Sequence, residues 1–101
     1  MDVNVNIPDE RLKDEFINGI EYGIAYWAEV REYRPDDVKA TIYDFEESKV
    51  YFLALDDLKR GLQVMAEKYP KHFSDILNEN SDSITADALI QCSVFGDIIY
   101  G

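Results

Sequence analysis

The polar and apolar positions change period along the chain, and each change marks an element. From Met1 to Ile7, Val3, Val5 and Ile7 alternate with Asp2, Asn4 and Asn6. Period two with β-branched residues predicts a half-buried strand. Pro8 suits the first turn of a helix, and Asp9 and Glu10 are favourable at its positive end. Leu12, Phe16, Ile17, Ile20 and Ile24 then recur at helical spacing, which predicts an amphipathic helix ending near Gly23.

Three strand-like runs follow, from Ile24 to about Arg34, from Val38 to Phe45 and from Lys49 to Leu53. Pro35-Asp36-Asp37 and Glu46-Glu47-Ser48 separate them, and residues of these types form turns. Connections this short imply an antiparallel meander, because parallel strands need a long crossover. Strict alternation puts Ala28, Val30, Val38, Ala40, Ile42, Val50 and Phe52 on one face. The other face then takes Trp27, Glu29, Arg31, Tyr33, Lys39, Thr41, Tyr43, Lys49 and Tyr51.

Helical spacing returns at Leu55, Leu58, Leu62, Met65 and Ala66, with Asp56 as the expected N-cap. Tyr69-Pro70 interrupts it, since a residue before proline avoids helical angles. A short helix is expected from Lys71 to Leu77 and a polar loop from Asn78 to Ser83. Thr85 is the expected cap of a last helix, in which Ala86, Leu89, Ile90, Cys92, Val94, Phe95, Ile98 and Ile99 wrap most of the circumference. A helix apolar nearly all round is buried, so this one should form the centre of the core. The order is β-α-β-β-β-α-α-α, an α+β domain over residues 1–101. Its antiparallel sheet of three or four strands carries helices on one face.

Composition narrows the partners. The chain has 21 acidic and 10 basic residues, a formal charge of −11, and no Lys or Arg beyond Lys71. Such a surface repels nucleic-acid phosphates and anionic lipid headgroups, and attracts basic surfaces. At 47% hydrophobic, with 7 Tyr, 5 Phe and 1 Trp, it is too apolar and aromatic for a disordered chain. The lone Cys92 forms no internal disulfide and suits a reducing compartment. Neither a secretory signal nor an apolar run of about 18 residues is visible, so a cytoplasmic protein is expected.

Candidate chemistry is sparse. His72 is the only histidine and has no marked partner, so a surface or helix-end role outweighs catalysis. Cys92 sits among apolar neighbours, where a thiol behaves as a small hydrophobe. Asn78, Asn80 and Asp82 have the spacing that begins a calcium loop, but Ser83 and Leu89 stand where Gly and a bidentate Glu are needed. Carboxylate pairs occur at Asp9-Glu10, Asp14-Glu15, Asp36-Asp37, Glu46-Glu47 and Asp56-Asp57. Such pairs are mostly solvated helix starts and turn tips. An enzyme built on them is the weakest reading, and no catalytic residue, metal or cofactor is expected.

Charge is unevenly spread. Residues 1–47 hold thirteen acids and five bases, residues 48–71 three acids and five bases, and residues 72–101 five acids and no base. Both meander turns are acidic and lie at opposite ends of the expected sheet. They can serve solubility alone, or imitate phosphates in a basic channel. The face with Trp27, Tyr33, Tyr43 and Tyr51 is either an exposed anchor, since Trp and Tyr are typical of interfaces, or core, under a curled sheet or a terminal helix that covers the second face. A homodimer through that face satisfies both.

Three blocks carry a family resemblance. Ile20-Glu21-Tyr22-Gly23-Ile24-Ala25-Tyr26-Trp27 is similar to the Leu-Glu-Gly-Gly-Ile-x-Tyr-Trp block of small acidic proteins of phages, prophages and plasmids. Leu53 to Leu62 resembles their Leu-Thr-Leu-Glu-x-Phe-Leu-x-Gly-Ile segment, and Thr85 to Gly101 their closing Ala-Asp-x-x-Ile-Gln-x-Ala-Leu-Phe-Gly-Glu-Val-Val-Tyr-Gly. Together the blocks cover about a third of the chain. Tyr22 stands where the relatives carry Gly, which leaves a close backbone approach there open. The resemblance implies a mobile-element origin, and small acidic phage proteins often inhibit host defence, as anti-restriction and anti-CRISPR proteins do.

The expectation is therefore a non-catalytic protein that binds a basic host protein or nucleoprotein complex. Trp27, Tyr33, Asp36, Asp37, Tyr43, Asp44, Glu46, Glu47 and Tyr51 would form the partner surface. A homodimeric structural or regulatory protein of the mobile element is the alternative.

Overall fold

The computed structural model describes residues 7–101, so the strand expected from residue 1 to residue 7 lies outside them except for Ile7. Seven regular elements follow in chain order: α1 (Asp9–Asn18), β1 (Ala28–Arg34), β2 (Lys39–Asp44), β3 (Lys49–Leu53), α2 (Leu55–Lys68), α3 (Pro70–Leu77) and α4 (Ser83–Phe95). The architecture is α+β, with an open antiparallel sheet in the order β1-β2-β3 and helices packed against one face. No helix among the described residues is long and apolar enough to cross a membrane.

Pro8 opens α1 with Asp9 and Glu10 in its first turn, and Leu12 and Phe16 bury its apolar stripe. The helix then widens into a π-helical turn over Gly19–Gly23. Glycine is required at both ends of that turn, because α4 runs against it. A Cβ on Gly19 would meet the Ala86 carbonyl oxygen at 3.0 Å, and one on Gly23 the Ser83 carbonyl oxygen at 2.8 Å. The backbone approach therefore falls at positions 19 and 23. Tyr22 points outward and is 73% exposed.

The sheet corrects three expectations, each for a reason of register. The first strand begins at Ala28, four residues later than its apolar pattern suggests, because residues 25–27 form a turn closed by the Trp27 N–H on the Ile24 carbonyl at 2.9 Å. Trp27 thereby escapes the strand's alternation and is buried beside Ala28. Second, a bulge between Val30 and Glu32 shifts the β1–β2 register and brings Tyr33 opposite Ala40. A bulge inserts one unpaired residue, so the faces exchange beyond it.

The third correction concerns β3. Ile42 pairs with Tyr51 and Ala40 with Leu53, which turns Tyr51 and Leu53 inward. Val50 and Phe52 face out, opposite Tyr43 and Thr41, and Phe52 is 77% exposed. Hairpin loop length fixes this parity, and a one-residue difference inverts a whole strand.

Two caps also differ from expectation. Helix α2 starts one residue before Asp56, and Asp57 accepts the Ala54 N–H at 2.9 Å. Asp82, rather than Thr85, caps α4 by accepting the Thr85 N–H at 2.9 Å, and that bond holds its carboxyl below the usual range. Gly96, at φ 71°, ends α4 short of Ile98. Every residue from Thr85 to Cys92 is buried, so α4 is the centre of the core, with α1, α2, α3, the π-turn and β3 around it.

Candidate functional site

An α-helix places residues four apart on one face, and in α4 this aligns two buried polar side chains, Asp87 and Gln91. Asp87 Oδ1 accepts the Trp27 indole N–H at 2.8 Å and a Gln91 amide N–H at 3.1 Å, while Oδ2 accepts the Tyr26 hydroxyl at 2.5 Å. Gln91 Oε1 accepts the backbone N–H groups of Ile99 and Tyr100, both at 2.9 Å. Its Nε2 also lies 3.1 Å from the Tyr100 carbonyl oxygen. One side chain thus satisfies both edges of the segment that follows α4.

Tyr100 carries the network on to the sheet. Its ring stacks on Trp27 at 5.3 Å and meets Phe95 edge-on at 5.8 Å. Its hydroxyl donates to the Asp44 carboxylate at 2.9 Å, and Asp44 Oδ1 accepts the N–H groups of Glu46 and Glu47 at 2.9 and 3.2 Å. Burial, reinforced by the neighbouring carboxylate, pushes the Tyr26 and Tyr100 phenols up to about 12. Both therefore remain donors at neutral pH. Among the described residues no Lys, Arg or His forms an ion pair with Asp44 or Asp87.

Beside this network lies an open cleft of about 570 Å³. Tyr26, Asp87, Tyr100, His72, Ser83 and Ile84 contribute to its walls. Tyr26 is 56% and Ile84 68% exposed, so its border is apolar and accessible. His72 Nδ1 is buried without a hydrogen-bond partner among the described residues. A second groove, of about 310 Å³, runs across the end of the sheet beneath Phe52, between Arg34, Lys39 and Asp57.

The structure separates the residues expected to form one partner surface. Trp27 is buried on Asp87. Tyr33 turns inward onto Phe16, with ring centroids 6.0 Å apart, and donates to Glu21 at 2.7 Å. Tyr51 meets Phe95 edge-on at 5.3 Å. Of the four aromatics only Tyr43 stays on the outer face, where the Arg31 guanidinium lies 4.2 Å from its ring centroid. Asp44 is fully buried and belongs to the polar network rather than to an acidic ridge.

The remaining acids are where the sequence puts them. Asp36 and Asp37 are exposed at one end of the sheet, and Glu46 and Glu47 at the other. Each turn has a nearby cation: Lys13 lies 3.4 Å from Asp36, Arg34 4.0 Å from Asp37, and Lys49 4.0 Å from Glu47. These exposed pairs are weak and screened by salt, so the turns keep acidic character.

Sequence reasoning missed Asp87, Gln91, Tyr26 and Tyr100. One signal was legible: two polar residues four apart inside an otherwise apolar helix need partners once that helix is buried. Cys92 is buried, and burial pushes its thiol up to about 11, the wrong direction for a nucleophile. Among the described residues no group of three or more His, Cys, Asp or Glu side chains is placed to hold a metal ion. Comparison with protein-family models, curated proteins and solved structures returns no match to this chain.

Proposed function

We propose that this chain is a non-catalytic interaction protein of a phage or other mobile element, acting in the host cytoplasm on a basic component of host defence. The exposed acidic turns carry this reading. Asp36 and Asp37 at one end of the sheet, and Glu46 and Glu47 at the other, flank an outer face bearing Tyr43, Val50 and Phe52. With a net charge of −11, that arrangement steers a basic surface in, and an exposed aromatic face supplies the anchor. The resemblance to small phage proteins supplies the host-defence setting, in which acidic turns stand in for phosphates.

The test is association with a basic host nuclease complex captured from lysate, followed across a salt series. Binding should weaken steeply between about 50 and 200 mM salt and be competed by DNA. Reversing Asp36, Asp37, Glu46 and Glu47 to Lys should abolish it. Salt-insensitive binding that needs Phe52 would sink the mimicry and leave an apolar interaction.

One observation favours a second reading. The β1 edge is bulged and charged, whereas the β3 edge, Lys49–Leu53, is regular and presents Val50 and Phe52 outward. Among the described residues no strand pairs with the outer edge of β3, an open edge pairs readily with another strand, and residues 48–71 are the one stretch where bases outnumber acids. A homodimer joined β3 to β3 would serve the mobile element without a host target. Light scattering across a concentration series, with Phe52→Lys as the disrupting variant, checks it.

A further inference from the structure

We infer that the cleft between Tyr26, Asp87 and Tyr100 receives the guanidinium of an arginine side chain presented by a protein partner. A carboxylate offers about four acceptor sites, and three donors reach Asp87: the Trp27 indole, the Gln91 amide and the Tyr26 hydroxyl. Asp87 is buried, at 7% exposure, and meets no cation among the described residues. Burying an unpaired charge is costly, and a cation that reaches it makes a charge-assisted hydrogen bond.

The other walls select the kind of cation. Tyr26 and Tyr100 supply aromatic rings, on which a planar guanidinium stacks better than a compact, strongly hydrated ammonium. His72 Nδ1, buried and without a partner among the described residues, accepts one of the several guanidinium N–H groups in the Nε2–H tautomer of the neutral imidazole. A volume of about 570 Å³ admits the whole side chain. The exposed Ile84 and Tyr26 give the flanking peptide an apolar border. Gly23, packed closely on α4, also lines the cleft.

The inference rests on the basic-partner reading only for the origin of the arginine. It concerns a site away from the acidic turns, and it can be tested without any partner. Trp27 is the only tryptophan, so its indole N–H gives one side-chain signal in a nitrogen-proton correlation spectrum, and that proton is bonded to Asp87. The probes are a capped Gly-Arg-Gly peptide and its citrulline counterpart, which keeps the shape and loses the charge.

The arginine peptide should move the Trp27 indole signal and the amides around Ser83 to Ala88 in a saturable way. The citrulline peptide should bind at least about tenfold more weakly, the loss expected for a charge-assisted contact. Asp87→Asn should remove the response while keeping a dispersed spectrum. If that variant fails to fold, Tyr26→Ala at an exposed position should weaken the arginine peptide several-fold. Equal shifts from both peptides, or shifts confined to Asp36–Asp37 and Glu46–Glu47, would overturn the inference. Salt-dependent capture of a basic protein with an unmoved Trp27 signal would spare the basic-partner reading and reject this site alone.

Discussion

Tyr100 and Asp44 stand 56 residues apart in sequence and meet in the interior, the phenol hydroxyl 2.9 Å from one carboxylate oxygen and 3.0 Å from the other. The bond joins the segment after α4 to the last residue of β2, and Asp44 uses the same carboxylate to hold the N–H groups of the turn that follows. Tyr100→Phe keeps the stacking on Trp27 and deletes only the donor. Leaving a buried charged acceptor short of a partner costs about 1–3 kcal/mol. Urea unfolding should show a lower midpoint at unchanged slope. An unchanged midpoint would mean that water replaces the phenol.

Gln91 should matter more than a single polar residue usually does. Gln91→Leu conserves volume but strands the Ile99 and Tyr100 N–H groups and removes a donor from Asp87. The expected loss is about 2–4 kcal/mol. Amide exchange at Ile99 and Tyr100 should accelerate well beyond what the global change explains, because the closing segment loses its anchor.

Gly61 lies inside α2, where replacing glycine by alanine in an exposed helix gains about 1 kcal/mol. Here the sign reverses. A Cβ at this position would lie 2.7 Å from Ser93 Cα and from Ser93 N, so α2 and α4 would have to separate. Overpacking of this kind costs about 1–3 kcal/mol, and Gly61→Ala should lower the melting temperature by roughly 5–15 °C. A rise would show that the two helices have slack.

Glu15 sets a pH dependence. It is buried, and burial raises its carboxyl above the ordinary 4.5, against the opposing effect of the Ser81 hydroxyl that donates to it at 2.5 Å. A carboxyl with a higher pKa when folded binds more protons in the folded state. Its stabilising contribution is complete below 4.5 and is lost as the pH climbs through the raised value. Asp82 and Asp97, held below 3.8 mainly by hydrogen bonds they accept, act oppositely and lose their contribution on acidification. Chemical denaturation at a series of pH values should therefore show stability falling above 4.5. Glu15→Gln should flatten that limb.

Cys92 should resist thiol reagents in the folded protein. It is 2% exposed, and burial pushes its thiol up to about 11. At pH 8 a disulfide reagent such as DTNB should release colour only after urea is added, at a rate set by opening of the core. Immediate reaction would mean that the α4 end of the core opens readily.

The element order over residues 7–101 was legible because the apolar period switches cleanly between helix and strand. So was the burial of α4, which is buried all round from Thr85 to Cys92. The strand faces were not. Alternation fixes which residues share a side within one strand, but the parity between strands depends on loop length and bulges. The four residues between Asp44 and Lys49, and the extra residue between Val30 and Glu32, turned Phe52 outward and Tyr33 inward. Asp44 reads as one more acid in an acidic turn. Its turn supplies the Glu46 and Glu47 N–H groups, and the remaining donor is the phenol of a residue far along the chain. The same distance hid Asp87, whose partners Tyr26 and Trp27 lie 61 and 60 residues away.

That separation has a consequence for synthesis. At about 5–20 residues per second, the meander is synthesised seconds before α4. Until then the glycine turn at 19–23 has no ridge to lie on, and the Trp27 indole has no acceptor within the chain. The nascent half must wait with its apolar side wet, and closure comes as a late, collective step when Asp87, Gln91 and Tyr100 arrive together. Stalling translation between Leu77 and Ser83 should leave a chain whose tryptophan still reports water.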